Sequence, residues 1–180
     1  MNVLLLVAPG TEEMEAVIII DTLRRAEWSV TVAGVQEGVI EASRGVKLVP
    51  DVLLNQVDFD AFDGLVLPGG YGGTMIFCED VNVQNAIQTF HQNKRWIGAI
   101  CAAPLALYAA GILEGKKFTC YPGVEENLPQ NFQRLEDLVV VDGRLITSQG
   151  PGSAFDFALK LIEIGSGEAI ANLVRKQLLL

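Results

Sequence analysis

Charge is scarce in this chain, and positive charge most of all. Only 19% of the 180 residues are charged, and 13 Lys and Arg face 22 Asp and Glu, for a formal net charge of −9. With no basic cluster, the chain lacks the electrostatic footprint of a nucleic-acid binder. The same sign opposes attraction to an anionic membrane surface. Histidine is nearly absent: His91 stands alone in a polar stretch. Three cysteines, Cys78, Cys101 and Cys120, are an odd number without a C-x-x-C spacing. A zinc site of Cys and His is therefore not expected, nor is a disulfide framework, and a reducing compartment fits best. The N-terminus has no basic segment ahead of its apolar run, and Glu12, Glu13 and Glu15 follow soon after. No signal peptide is read there, so the expected location is cytoplasmic.

What the chain has is apolar residues, at 50%. That excludes disorder and raises the question of a membrane span. The longest uncharged run, Trp96 to Leu113, reaches the length of a span candidate. Gly98, Cys101, Pro104 and Gly111 interrupt it, and it divides more naturally into a short strand and a small-residue helix. No internal repeat or linker is evident, and the length suits one domain over residues 1–180.

Continuous apolar runs at residues 3–8 and 64–67 suit strands covered on both faces. Thr11 is read as the N-cap of a helix running to about Ala26, with Glu12 and Glu13 as its solvated first turn. A strand follows at Trp28–Ala33, then an extended excursion over 39–49 through Arg44-Gly45. Beyond Pro68-Gly69-Gly70 come a helix over Val81–Gln92, a strand over Trp96–Ile100, a helix over Ala102–Ala110 and a strand over Phe118–Tyr121. Residues 123–137 read as a surface loop with room for a short helix. An Asp142-Gly143 hairpin joins 139–141 to 145–147. Helices from Pro151 to about Ile164 and from Glu168 to Leu178 complete the pattern. Alternation of this kind predicts a three-layer α/β/α sandwich on a mostly parallel sheet.

In such sheets, sites form at the carboxyl ends of the strands. Cys101 falls at one of these ends, with Ala99, Ala102 and Ala103 around it. Small neighbours are what a strained strand-to-helix nucleophile elbow requires. Unpaired N–H groups at the following helix would favour a thiolate, so Cys101 is expected to be a reactive thiol of low pKa. The alternative is an inert buried cysteine. Glu15 lies among apolar neighbours. If it faces the sheet it is desolvated, its pKa is raised, and it can hold or relay a proton; otherwise it is a third surface glutamate. Gly69-Gly70 allow close backbone approach, and with the Ala102 N–H they could bind an oxyanion. Arg44 is a candidate anion ligand, and Gly150 and Pro151 form a turn at another strand end. Each of these has a plain reading as a turn or a solvated charge. His91 reads as a surface residue.

Taken together, the segments Ala8-Pro9-Gly10-Thr11-Glu12-Glu13-Met14-Glu15, Ala42-Ser43-Arg44-Gly45-Val46, Val66-Leu67-Pro68-Gly69-Gly70, Ala99-Ile100-Cys101-Ala102-Ala103-Pro104 and Thr147-Ser148-Gln149-Gly150-Pro151-Gly152 resemble the ThiJ/PfpI superfamily, which includes the Parkinson-disease deglycase, and look closest to its YajL-like bacterial branch. The resemblance implies a flavodoxin-like sandwich, a homodimer, Cys101 as nucleophile, Glu15 as its protonated partner, and an oxyanion site near Gly70 and Ala102. It also implies cofactor-free and metal-free activity on α-oxoaldehydes or glycated adducts, with a redox-regulated chaperone as the alternative. Unfolded client proteins are a further expected partner. Leu178-Leu179-Leu180 fit a dimer or client surface. Two departures matter. Ala102 replaces the histidine of peptidase-like relatives, which argues against peptidase activity. Tyr121, in Thr119-Cys120-Tyr121-Pro122, stands where some glyoxalase-active relatives have histidine.

Overall fold

The computed structural model describes all 180 residues. A seven-stranded sheet forms its centre, ordered β5-β2-β1-β6-β7-β9-β8. The strands are β1 (Asn2–Val7), β2 (Ser29–Gly34), β5 (Val52–Leu53), β6 (Gly64–Leu67), β7 (Trp96–Ile100), β8 (Val139–Asp142) and β9 (Leu145–Ser148). All adjacent pairs are parallel except β8–β9, the predicted hairpin. The five strands β2-β1-β6-β7-β9 follow the flavodoxin-like order, as expected. The excursion over 39–49 is a separate antiparallel pair, β3 (Ile40–Glu41) and β4 (Lys47–Leu48).

Strand alternation sorts the core into two layers. Leu4, Leu6, Leu65, Leu67 and Ile97 pack with α2 (Tyr71–Glu79), α3 (Val81–Gln92) and α4 (Pro104–Ala109). Val3, Leu5, Val7, Val66 and Ile146 face the opposite way, toward α1 (Glu13–Arg25), α5 (Ala154–Ser166) and α6 (Glu168–Gln177). Burial on both faces explains why β1 and β6 read as unbroken apolar runs. The uncharged run from Trp96 to Leu113 is β7, a turn and α4, and no helix is long and apolar enough to cross a membrane.

Several local expectations are overturned. Thr11 does not cap α1: its buried Oγ1 accepts from the Ala8 N–H at 2.9 Å, and α1 begins two residues later with no side-chain cap. Glu13 is not a solvated first-turn residue but is buried, accepting from Ser43 Oγ at 2.9 Å and the Arg44 N–H at 2.9 Å. Burial raises its pKa, yet these and other hydrogen bonds outweigh it and the net direction is down. Phe118–Tyr121 is not a strand. Only Phe118 bridges to Arg134, and Thr119 and Tyr121 spend their N–H groups on Thr147 Oγ1 and the Cys101 carbonyl. The helix after Cys101 starts at Pro104 rather than Ala102. Helix α2 was not foreseen, because Gly72 and Gly73 in its first turn argue against a helix. The short strand β5 was also not foreseen.

Candidate active site

Cys101 terminates the sheet at β7, between β6 and β9. Its φ is +64°, the left-handed region that a side chain rarely occupies. Such strain costs on the order of 1–3 kcal/mol and persists only where the surroundings impose it. Here both neighbouring peptide groups are fixed. The Cys101 N–H donates to the Ser148 carbonyl at 3.0 Å, and its own carbonyl accepts from the Tyr121 N–H at 2.9 Å. Ala99, Ala102 and Ala103 are buried around it, leaving no room for larger side chains. The predicted elbow is therefore present, and Cys101 at its tip is half-buried.

Glu15 meets Cys101 from the first helix. It lies on the buried face of α1 with Ala16, Ile19 and Leu23, and none of its surface is exposed. Oε2 accepts from the Gly69 N–H at 2.6 Å, while Oε1 has no nitrogen or oxygen partner. Burial raises the Glu15 pKa to about 7, against the opposing pull of the Gly69 N–H and the Cys101 side chain. The desolvated, inward-facing reading of Glu15 thus holds.

Gly69 is where the two groups converge. A Cβ at this position would stand 2.5 Å from the Cys101 Cβ and 2.8 Å from Glu15 Oε2. Its N–H is committed to the carboxyl and its carbonyl accepts from the Glu12 N–H at 2.9 Å. Gly69 therefore positions Glu15 and offers no N–H to an oxyanion, a correction to its expected role. The Gly70 and Ala102 N–H groups both act on Cys101 in the direction that lowers its pKa. Gly70 has φ of +86° and lies so close to Gly10 and Glu12 that no side chain fits.

The expectation of a depressed thiol pKa is reversed for this pair. Burial first, and then the Glu15 charge, push Cys101 up to about 12, against the Gly70 and Ala102 N–H groups. Thiol and carboxyl share one dry space and compete for one proton. A proton on Glu15 removes its charge, leaving burial to oppose the thiolate and the two N–H groups to favour it. Cys78 and Cys120 have raised pKa values, chiefly from burial, and neither has paired N–H donors at its sulfur.

Tyr121, Gly150 and Pro151 are brought together, lining a cavity of about 430 Å³ with Pro122 and Ser153. The Tyr121 ring lies against Gly150, 3.1 Å from where a Cβ would sit. This cavity adjoins the elbow through the Tyr121 and Ser148 hydrogen bonds to Cys101. Ser148 and Ser153 belong to the same strand-end turn, where the sequence assigns neither a role of its own. Their hydroxyls lie 2.7 Å apart, with Ser148 Oγ donating to the Leu138 carbonyl at 2.7 Å and Ser153 Oγ accepting from the Gly150 N–H at 3.1 Å. The paired serines flanking Gln149-Gly150-Pro151-Gly152 were the available signal. Arg44 is not brought in. Its N–H serves Glu13, and its exposed guanidinium has no hydrogen-bond or ion-pair link to Cys101 or Glu15. His91, at the end of α3, lies at the opposite pole of the sheet.

The family model described as the DJ-1/PfpI family matches residues 1–164. The chain belongs to the DJ-1/PfpI family. Protein dj-1beta of Drosophila melanogaster is 44% identical over 180 residues, covering 99% of this chain and 96% of that protein. Glutathione-independent glyoxalase DJR-1.2 of Caenorhabditis elegans is 35% identical, covering 99% of this chain and 96% of its own length. The solved structure of oxidized Toxoplasma gondii DJ-1 superposes with a TM-score of 0.94 at 38% identity, covering 99% of this chain and 97% of that one. The family relation supports a DJ-1-type, glyoxalase-related activity at the level of the family.

Proposed function

We propose that the protein is a cysteine-dependent, cofactor-free glyoxalase that converts α-oxoaldehydes such as methylglyoxal to 2-hydroxy acids. The observation that carries this reading is the half-buried Cys101 at the elbow. It stands under two N–H donors and beside a fully buried carboxyl of pKa about 7. The Cys101 sulfur attacks the aldehyde carbon, forming a C–S bond, while the thiol proton passes to Glu15. The alkoxide of the resulting hemithioacetal is held by the Gly70 and Ala102 N–H groups. Glu15 passes that proton to the alkoxide and, ionised again, takes the proton from the former aldehyde carbon to give an enediol. It returns this proton to the adjacent ketone carbon as the first carbon's hydroxyl proton moves to the second oxygen. The first carbon is oxidised and the second reduced, so no external oxidant is required. Water cleaves the thioester, releasing the 2-hydroxy acid and the thiol. A carboxyl with a pKa near 7 suits both directions of transfer. With Tyr121 in place of a histidine base, turnover is slow. Deglycation of early glycated adducts would use the same first attack.

Lactate formation by wild type, Cys101→Ser and Glu15→Gln tests this, with product stereochemistry and a control for scavenging of free methylglyoxal. Loss of enantioselective lactate in both variants is expected. Undiminished turnover in Cys101→Ser overturns the reading.

The two N–H groups also support a second reading, a redox-sensing stress chaperone. Peroxide would convert the thiol to sulfenic acid and water, and a second peroxide would give sulfinate and water. The N–H groups and a protonated Glu15 would stabilise the added oxygens. Intact-mass analysis with peptide mapping after mild peroxide is expected to place two oxygens on Cys101 first. Earlier oxidation of Cys78 or Cys120 counts against it.

A further inference from the structure

A chain poor in cations gathers them in one place. Four of its 13 Lys and Arg, together with its only histidine, line a single cleft of about 260 Å³. These are Lys94, Arg95, Lys116, Arg144 and His91, and Asp142 is the one carboxylate among the lining residues. The cleft lies at the amino ends of β7 and β9, whereas Cys101 and Ser148 mark their carboxyl ends. It is therefore separate from the cysteine site.

Two of these cations are already engaged. Arg95 donates to the Phe59 carbonyl at 2.6 Å and pairs with Asp60 at 2.9 Å, and Lys116 lies 3.7 Å from Asp142. Lys94 and Arg144 belong to no ion pair. Their backbones are nonetheless fixed. Lys94 has a φ of +54° and donates its N–H to the His91 carbonyl at 3.0 Å, closing the turn after α3. Arg144 follows Gly143 in the β8–β9 turn, and its carbonyl accepts from the Ile97 N–H at 2.8 Å. That bond ties the two cation-bearing turns together. The α3 carbonyls of Thr89, Phe90 and His91 are capped by Asn93, Arg95 and Lys94, so the helix end does not face the cleft with free acceptors. Buried Ile97, Ile112 and Leu145 form an apolar floor, which lowers the local dielectric and strengthens attraction to an anion.

We propose that this cleft binds a small organic phosphate, its phosphate group held by Lys94, Arg144 and His91. Arginine and lysine suit the geometry and charge of a phosphate oxygen cluster. The volume admits a phosphate with a sugar-sized body.

The single histidine provides a direct reporter. Its ring proton resonance is followed by NMR at fixed pH during titration with inorganic phosphate and with ribose 5-phosphate. Ribose and potassium chloride at matched ionic strength are the controls. Saturable shifts are expected with both phosphates and with neither control, tighter for the sugar phosphate. Lys94→Gln together with Arg144→Gln, both at exposed positions, is expected to weaken binding at least roughly tenfold. Cys101→Ser is expected to leave it unchanged. A shift matching that of chloride, or a saturable shift that survives the double substitution, overturns the assignment.

Discussion

Replacing Glu15 by Gln isolates one buried proton. Glutamine keeps the length of the side chain and an oxygen to accept the Gly69 N–H, but cannot ionise. In the native protein burial raises the Glu15 pKa from 4.5 to about 7. A carboxyl whose native pKa lies above its unfolded value contributes stability that is fully present below the unfolded pKa. That contribution is lost as pH rises through the native value. From 4.5 to about 7, at about 1.4 kcal/mol per pH unit, the loss is roughly 3 kcal/mol. Wild type should therefore lose roughly 3 kcal/mol relative to Glu15→Gln between about pH 4.5 and about pH 8. Urea unfolding at a series of pH values in this window measures it, with the protein concentration held constant. Taking the difference between the two proteins cancels the titrating groups that are not coupled to Glu15, including Glu13, whose shift has the opposite direction. Stability curves that stay parallel across the window would refute a desolvated carboxyl at this position.

Gly69→Ala should impair both stability and activity, because its Cβ would stand 2.5 Å from the Cys101 Cβ. A cost of about 1–3 kcal/mol in urea unfolding, with loss of lactate formation, is the expected outcome. Asp80→Ala removes the cap of α3, whose Oδ1 accepts from the Asn82 and Val83 N–H groups at 2.8 and 3.0 Å. It should cost about 1 kcal/mol and leave turnover unchanged. Met14, Val17 and Leu179 expose apolar side chains, at 57%, 50% and 94%. With these faces covered by a second copy, sedimentation equilibrium should return twice the chain mass, and Val17→Asp should lower it toward the monomer.

The sheet was legible because its signal is local. Residues 3–7 and 64–67 are apolar without alternation, and only a strand covered on both sides uses such a run. The Asp142-Gly143 turn named its own hairpin. Cys101 and Glu15 could be singled out from small or apolar neighbours. What joins them could not, since Gly69 lies 54 residues from Glu15 and its N–H could as well have served an oxyanion. The thiol's direction was misread for the same reason. A helix N-terminus predicts a low pKa, but the nearby carboxyl and the loss of water are tertiary facts. Helix α2 was hidden by Gly72 and Gly73, which helix propensity penalises. Close packing explains Gly73, where a Cβ would lie 2.9 Å from the Thr11 nitrogen. Tertiary contact overrides propensity there.

The hydrogen bond from the Cys101 N–H to Ser148 has a consequence for how the protein is made. The strand that supplies this acceptor is β9, one of the last parts of the sheet to be synthesised. Parallel pairing over such separations is slow to form. A nascent chain that has emerged through Cys101 but not yet through Ser148 carries an ordinary thiol in an unfinished sheet. Its left-handed backbone, and with it the pairing of sulfur and carboxyl, requires β9 to have joined the sheet. The geometry around Cys101 is thus a product of the assembled sheet and not of its own segment.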